Sequence, residues 1–261
     1  SEDHVIWEKS VDGNLDKVTV NKNGYVSAIV TGTTYKSVII TYDEKGNELF
    51  KTYLSKTIAV DACVSPDNAE FAYAEVNNSG TTIQSNIKII SIKDVKEKNT
   101  EPKYEYNAAQ DSLILRIKYQ DKSRLICMYD DSIHKFETGV DVELTKLNED
   151  NPKITFADIE LNNYVFRTYE KSTSLFSADT IIEMQNTSNG KENVYTIEEV
   201  AKSVVSNNNV IAVNLGNEVY FVETNAWLIK RYSSSQVIEK IILGDGVAGI
   251  IYSDKIEIVN L

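Results

Sequence analysis

"VDACVSPDNAEFAYAEVN" (residues 60–77) contains the pattern that decides the fold. An apolar run, "VDACV", is followed by a polar turn, "SPDN", and then by a second apolar run, "EFAYAEVN". Runs of this length that are rich in β-branched and aromatic residues and bounded by turn residues are typical of β-strands. The stretch therefore predicts two antiparallel strands joined by a tight turn, and the same pattern recurs along the chain.

Six segments align as the second strand of such a pair, and a polar turn precedes each of them. They are "YVSAIVTG" (25–32), "EFAYAEVN" (70–77), "RLICMYDD" (124–131), "YVFRTYEK" (164–171), "VIAVNLGN" (210–217) and "VAGIIYSD" (247–254). A third apolar run follows every segment, and a fourth follows five of the six. Because successive segments start about 40 to 50 residues apart, the repeat has the length of a four-stranded propeller blade.

The sixth repeat ends at Leu261, after its third strand, whereas a spare apolar run, "HVIWEKSV" (4–11), precedes the first repeat. An unpaired edge strand invites aggregation, so we expect residues 4–11 to pair with the last blade, 237–261, and close the ring. The prediction is an all-β fold: one β-propeller domain over residues 1–261, with six blades. Seven blades and a β-sandwich are the alternatives. The best helical candidate, 193–209, lacks a clean 3.6-residue stripe.

The repeat motifs "NGYVSAIVTG", "VIITYDEKGNELF" and "VDACVSPDNAEFAYAEV" also carry a resemblance. The chain resembles the quinoprotein-like and WD40-like propellers, although it has no Trp-Asp dipeptide. More closely, it is similar to a family of unknown function of membrane-anchored propellers in Gram-positive bacteria. That resemblance implies a cytoplasmic tail and a single membrane helix before an extracytoplasmic propeller. Since the sequence begins "SEDHVIW" without Met, we expect an anchor or export signal to precede Ser1.

Composition excludes several classes of function. The 261 residues are 42% hydrophobic, which is enough for a core, and the formal net charge is −12. Negative charge disfavours binding to nucleic acids and to anionic membrane surfaces. No apolar run approaches the ~20 residues of a membrane-spanning helix. Membrane association is therefore expected only through an anchor outside this sequence.

Few residues could bind a metal or a cofactor. Cys63 and Cys127 lie in apolar runs, so we expect buried, unreactive thiols, joined in a disulfide only if their Cα atoms lie within about 7 Å. His4 and His134 have no His or Cys at ligand spacing. The glycine-rich "GDGVAG" (244–249) is interpreted as a turn because no helix follows to bind phosphate. We therefore expect no metal and no cofactor.

The acidic residues offer two weak candidates for a site. Asp61, Asp111 and Asp158 lie near predicted first strands, where a propeller glycosidase would place its carboxylates, although turn-capping or solvated acids are the simpler interpretation. The hairpin "TYDEKGNELF" (41–50) clusters acidic residues, but Lys45 occupies a position that a calcium loop needs for a ligand. The chain has no "GxSxG" nucleophile elbow. We assign no catalytic residue.

Aromatic residues are the remaining candidates. Trp7 and Trp227 fall in predicted outer strands, and many tyrosines lie in strands: Tyr73, Tyr104, Tyr106, Tyr164, Tyr169, Tyr220 and Tyr252. Packing between blades is favoured over anchoring of a partner. The sequons "NNS" (77–79) and "NTS" (186–188) are interpreted as chance matches.

These observations favour a non-enzymatic, extracytoplasmic module that binds a protein or a ligand such as a glycan, and that is a monomer anchored to the membrane. A propeller hydrolase or lyase acting on polysaccharide is the alternative from another class. A cytoplasmic scaffold is a third possibility, if no export signal precedes the sequence. The partner and the binding residues are not identified by the sequence.

Overall fold

The computed structural model describes residues 4–148, 152–175 and 177–261. These residues form 23 β-strands in six antiparallel sheets and one short helix. Within them, no helix is long and apolar enough to cross a membrane. The chain divides into two compact units, Ser1–Glu143 and Leu144–Leu261.

The first unit contains three sheets of four strands, and neighbours in the chain are neighbours in each sheet. The first sheet is β1 (Asn14–Val20), β2 (Val26–Thr31), β3 (Ser37–Tyr42) and β4 (Glu48–Leu54). The second is β5 (Ile58–Val64), β6 (Glu70–Asn77), β7 (Gln84–Ser91) and β8 (Tyr104–Asn107). The third is β9 (Ile114–Tyr119), β10 (Arg124–Tyr129), β11 (Ser132–Glu137) and β12 (Val140–Lys146), whose last residues belong to the second unit.

The core of the first unit lies between its sheets. Phe50 of β4 and Phe71 of β6 pack with ring centroids 4.5 Å apart, in a cluster that joins the first and second sheets. Leu125 and Phe136 occupy a second cluster between the second and third sheets. The helix α1 (Ile92–Lys96) follows β7 and is capped at its N-terminus by Ser91, whose hydroxyl accepts a hydrogen bond from the backbone N–H of Asp94.

The second unit contains two sheets of four strands and one of three. The fourth sheet is β13 (Ile154–Asp158), β14 (Tyr164–Ser172), β15 (Ala178–Asn186) and β16 (Glu192–Ile197). The fifth is β17 (Ser203–Asn207), β18 (Val210–Asn214), β19 (Glu218–Glu223) and β20 (Leu228–Ser233). The sixth is β21 (Lys240–Leu243), β22 (Val247–Ile251) and β23 (Ile256–Asn260).

Apolar clusters again join neighbouring sheets in the second unit. Phe166 and Ile211 lie in the cluster between the fourth and fifth sheets. Phe221 and Ile250 lie in the cluster between the fifth and sixth sheets. Within each unit, neighbouring sheets thus bury apolar side chains against each other, because alternate residues of a strand point to opposite faces.

The predicted all-β class and the predicted strand pattern are confirmed. Each of the six repeats forms one antiparallel sheet, and the aligned segments contain the second strands β2, β6, β10, β14, β18 and β22. The fourth strand is present in the first five sheets and missing from the sixth, as the sequence indicates. Residues 193–209, the best helical candidate of the sequence, belong to β16, β17, the segment between them and the turn that follows β17.

The predicted closing strand is wrong. Residues 4–11 form no strand, and the sixth sheet (within 237–261) keeps three strands. The reason is the packing of Trp7, whose ring contacts Tyr42 of the first sheet with centroids 5.7 Å apart. Trp7 and Val11 are thereby packed against the first sheet, while Val5 and Ile6 stay exposed. The packing of the large Trp7 side chain therefore outweighs the β-strand propensity of the residues next to it in the chain.

Candidate functional site

The three carboxylates predicted as possible glycosidase acids have structural roles. Asp61 is 2% exposed, and its Oδ2 accepts a hydrogen bond from the backbone N–H of Ile117 at 2.9 Å. Its Oδ1 accepts the N–H of Ala62 and pairs with Lys17 Nζ at 2.8 Å. Asp61 thus joins the first strands of neighbouring sheets, β1, β5 and β9. A carboxylate held in this way has no oxygen directed at a substrate.

Asp158 and Asp111 are engaged similarly. Asp158 Oδ2 accepts a hydrogen bond from the hydroxyl of Ser206 at 2.8 Å, which joins β13 to β17 within the second unit. Asp111 lies in a turn with a φ of 64°, and its Oδ1 accepts the backbone N–H of Ile83. The geometry therefore supports a structural role for Asp158 and Asp111.

Histidine and cysteine form no metal site in the described residues, where no group of three metal-ligating side chains occurs. His134 Nδ1 lies 2.7 Å from Asp141 Oδ1, and its ring meets Tyr129 edge to face. Both cysteines are among the described residues and neither is in a disulfide. Burial raises the pKa of the Cys127 thiol well above its ordinary value, so this thiol is a poor nucleophile.

The hairpin at residues 41–50 is a structural turn. Asp43 Oδ1 accepts the backbone N–H groups of Lys45 and Asn47, and Asp43 Oδ2 accepts the Asn47 side chain at 2.8 Å. Gly46 has a φ of +78°, and a Cβ there would lie 2.8 Å from Trp7 Cδ2. Glycine is required both by the backbone and by the Trp7 ring. The Asp43 oxygens are thus used within the turn.

A cleft of about 430 Å³ opens on one face of the first sheet and is the candidate binding site. Val30, Val38 and Ile40 form its floor, and these side chains are buried. The antiparallel register sets Val30, Val38 and Tyr53 side by side across three strands. Its lining residues are Asp12, Val30, Gly32, Thr33, Thr34, Tyr35, Val38, Ile40, Lys51 and Tyr53.

Two tyrosines form one wall of the cleft. The rings of Tyr35 and Tyr53 lie 4.7 Å apart with an interplanar angle of 42°. Tyr35 is positioned by the β2–β3 loop, in which Thr33 Oγ1 accepts the backbone N–H of Tyr35 at 3.0 Å. Gly32 begins this loop with a φ of +75°, and a Cβ there would lie 2.8 Å from Asn14 Nδ2. The loop conformation that places Tyr35 therefore depends on glycine.

Lys51 provides the positive charge of the cleft. Its Nζ lies 5.4 Å from the centroid of the Tyr53 ring. A hydrogen bond with the Tyr53 side chain raises the pKa of Lys51 above its ordinary value of 10.5. The ammonium group, which is charged at neutral pH in any lysine of ordinary pKa, thus keeps its charge to a higher pH. Lys51 forms no ion pair with a described residue, whereas Lys17 and Lys88 pair with Asp61 and Glu75. An ammonium group without a carboxylate partner can bind an anionic group of a ligand.

The predicted aromatic candidates separate into packed and exposed residues. Tyr73 and Tyr252 are buried, as packing predicts. Trp7 packs on the first sheet instead of lying in an outer strand. Trp227 precedes β20 and is 69% exposed, so the prediction that it packs between blades is wrong. The sequence does not indicate this cleft, because Tyr35 and Tyr53 are 18 positions apart in the chain and only the fold brings them together.

Comparison with solved structures shows that the fold of this chain is similar to that of β-propeller proteins. The chain is similar to the β-propeller domain of the Trilobed protease from Pyrococcus furiosus, described as an open velcro topology, with 12% identity and a TM-score of 0.60. That match covers 95% of this chain and 84% of the other. It is also similar to Hsv2p of Kluyveromyces lactis, with 13% identity, a TM-score of 0.56, and 94% and 74% of the two chains covered. At these identities the likeness concerns the fold.

Sequence comparison defines the family. No curated protein matches the chain significantly. The profile of a family of unknown function, DUF5711, matches residues 1–261. Because this match extends over the entire sequence, the chain belongs to the DUF5711 family of unknown function.

Proposed function

We propose that this protein is a non-enzymatic binding module, a propeller of six blades held outside the cytoplasm of a Gram-positive cell by an N-terminal membrane anchor. The location is supported by the resemblance found in the sequence. Six blades are supported by the six sheets and by the propeller fold of similar structures. The observation that carries the binding function is the cleft on the first sheet, lined by Tyr35, Tyr53 and Lys51.

The chemistry of the cleft favours an acidic oligosaccharide. A volume of about 430 Å³ is within the range of ligand pockets, ~300–1,000 Å³. A sugar ring has apolar C–H faces that pack on aromatic rings, and Tyr35 and Tyr53 provide these. Its hydroxyl groups can pair with Thr33 and Thr34 at the rim. Lys51 would then bind a carboxylate on the sugar.

Among the described residues, the cleft does not have the pair of acids that glycoside hydrolysis uses. Asp12 is the one carboxylate among its described lining residues, whereas retaining and inverting glycosidases both use two. Asp61, which the sequence offered as a candidate, is held by Ile117 and Lys17. These observations support binding over the alternative of polysaccharide cleavage.

Calorimetric titration with oligomers of galacturonic acid, and with neutral galactose oligomers of the same length, tests the proposal. The acidic oligomer is expected to bind more tightly. Lys51→Gln should weaken its binding about fivefold, the scale of an exposed charge pair worth up to about 1 kcal/mol. Tyr53→Ala should weaken binding of both oligomers. Lys56→Gln, at an exposed position after β4, is the matched control and should change neither.

Two results would contradict the binding function: equal affinity of the wild type and Lys51→Gln for the acidic oligomer, or no binding at all. Release of new reducing ends during the titration would show an enzyme instead. The location is tested separately by labelling intact cells that express the full-length protein with a membrane-impermeant amine reagent. Labelling of this protein, without labelling of a cytoplasmic control, is the expected result.

A further inference from the structure

The sixth sheet has a free edge. β23 pairs with β22 on one side, and the described residues provide no strand on its other side, although the other five sheets each have four strands. A strand with unpaired backbone groups is a template for another strand. This edge lies in the second unit, whereas the residues of the cleft lie in the first.

The register shows which backbone groups are unpaired. Leu261 N–H donates to Gly246 O, and Tyr252 N–H donates to Lys255 O, both at 2.9 Å. Hydrogen-bonded pairs alternate with non-hydrogen-bonded pairs along an antiparallel ladder. The backbone N–H and C=O groups of the odd-numbered residues of β23 therefore point toward β22. The N–H and C=O groups of Ile256 and Ile258 therefore point away from β22, toward the free edge.

One end of the free edge is already occupied. The backbone carbonyl of Asn260, the next outward-facing residue, accepts a hydrogen bond from Lys230 Nζ at 2.6 Å. The open part of the edge is thus the segment around Ile256 and Ile258, which offers two donors and two acceptors. An added antiparallel strand could form four backbone hydrogen bonds there.

The side chains beside this edge are apolar and exposed. Ile256 is 64% exposed and Ile258 is 70% exposed. The strand register places Ile258 in a row with Gly249 and Ile242, which is 54% exposed. The opposite face carries Val259, which is buried against the fifth sheet. An exposed row of isoleucines at an open edge is costly to solubility, and a partner that covers it would gain apolar contact.

We propose that β23 accepts an extended segment of a partner protein as the fourth strand of the sixth sheet. The segment is antiparallel to β23 and about five residues long, the usual length of a strand. Valine or isoleucine at alternate positions packs on Ile256 and Ile258. Lysine or arginine between them lies on the opposite face of the sheet, and the net charge of −12 favours a basic segment. Glu257 is on that face, but its carboxylate is already bound by Lys255 and Tyr232.

A labelled peptide with the sequence Thr-Lys-Val-Lys-Val-Lys-Thr is the probe, and fluorescence anisotropy measures its binding. Ile258→Pro removes the outward N–H of this residue without removing a bond to β22, so edge-strand proline is tolerated here. Val194→Pro is the matched control, because Val194 lies on the outer strand β16 and its N–H also points away from its neighbour. Ile258→Thr keeps the backbone donor and tests the apolar contact.

The peptide is expected to bind the wild type and Val194→Pro equally, and Ile258→Pro about tenfold more weakly, as for a lost hydrogen bond worth about 1.4 kcal/mol. Ile258→Thr should weaken binding by a smaller factor. Amide exchange at Ile256 and Ile258 should slow in the complex. Equal binding by Ile258→Pro, equal loss by Val194→Pro, or unchanged exchange at these two amides would overturn the proposal. A wild-type dimer that Ile258→Pro dissociates would also overturn it, since β23 of a second copy would then be the occupant.

Discussion

Replacing Asp61 with alanine is expected to destabilise the first unit, because one buried carboxylate joins three strands. Its two oxygens accept hydrogen bonds from Ile117 N–H and Ala62 N–H, both at 2.9 Å, and pair with Lys17 Nζ at 2.8 Å. The variant leaves the N–H of the buried residue Ile117 without its acceptor. The strands β1, β5 and β9 also lose their common polar contact.

The size of the effect follows from these contacts. A hydrogen bond to a charged group contributes about 1.5–3 kcal/mol, and an unsatisfied buried N–H costs a similar amount. Lys17 is one-third exposed, so water replaces most of its pairing, and this adds less than about 1 kcal/mol. We expect a loss of about 3 kcal/mol for Asp61→Ala. Asp61→Asn keeps one acceptor and should lose about half as much.

Urea unfolding followed by circular dichroism measures the loss. Asp254→Ala, at an exposed turn before β23, is the control and should stay within about 0.5 kcal/mol of the wild type. A change for Asp61→Ala as small as that of the control would refute the structural role of Asp61. The same result would return Asp61 to the set of acids available for catalysis.

Three further changes test other contacts. Gly46→Ala should lower the free energy of unfolding in urea by about 2 kcal/mol, which is more than the control Gly190→Ala. Both glycines have a positive φ, but only at Gly46 would the added Cβ also contact the Trp7 ring. Burial raises the pKa values of Tyr73, Tyr119 and Tyr129 above the ordinary 10.0. The stability they contribute is present below that pH and is lost as the pH rises above it, so the tyrosinate absorbance of these three residues should appear only together with unfolding. In Cys63→Ser, the remaining thiol, Cys127, should react with a thiol reagent only after unfolding; rapid reaction of the folded protein would contradict its burial.

Local features of the fold could be predicted from the sequence. In "VDACVSPDNAEFAYAEVN", both strands and the turn between them depend on residues that are close together in the chain. The strands β5 and β6 form there, and the Ser65 hydroxyl donates a hydrogen bond to Asp67 within the turn. The hairpin at residues 41–50 is likewise held by a local side chain, Asp43, which accepts the backbone N–H groups of Lys45 and Asn47. The prediction of six sheets therefore rests on the alternation of apolar and polar residues along the strands and on the turn residues between them.

Features that depend on distant contacts could not be predicted. Residues 4–11 have the composition of a strand, but Trp7 packs on Tyr42 and no strand forms. The sequence offers Asp61 as a possible catalytic acid, whereas its hydrogen bond with Ile117, 56 positions along the chain, gives it a structural role. The cleft depends on the register that places Tyr53 beside Val38 and on the loop that orients Tyr35. None of these contacts has a local signal.

The most direct test of the binding function is the affinity of the acidic oligosaccharide for the wild type and for Tyr53→Ala, measured by calorimetry on the same preparation. The Tyr35–Tyr53 wall of the cleft predicts measurable binding by the wild type and a loss of at least about tenfold in the variant, as for an aromatic residue central to a binding site. Equal affinity in the two proteins would contradict the assignment of this cleft as the binding site.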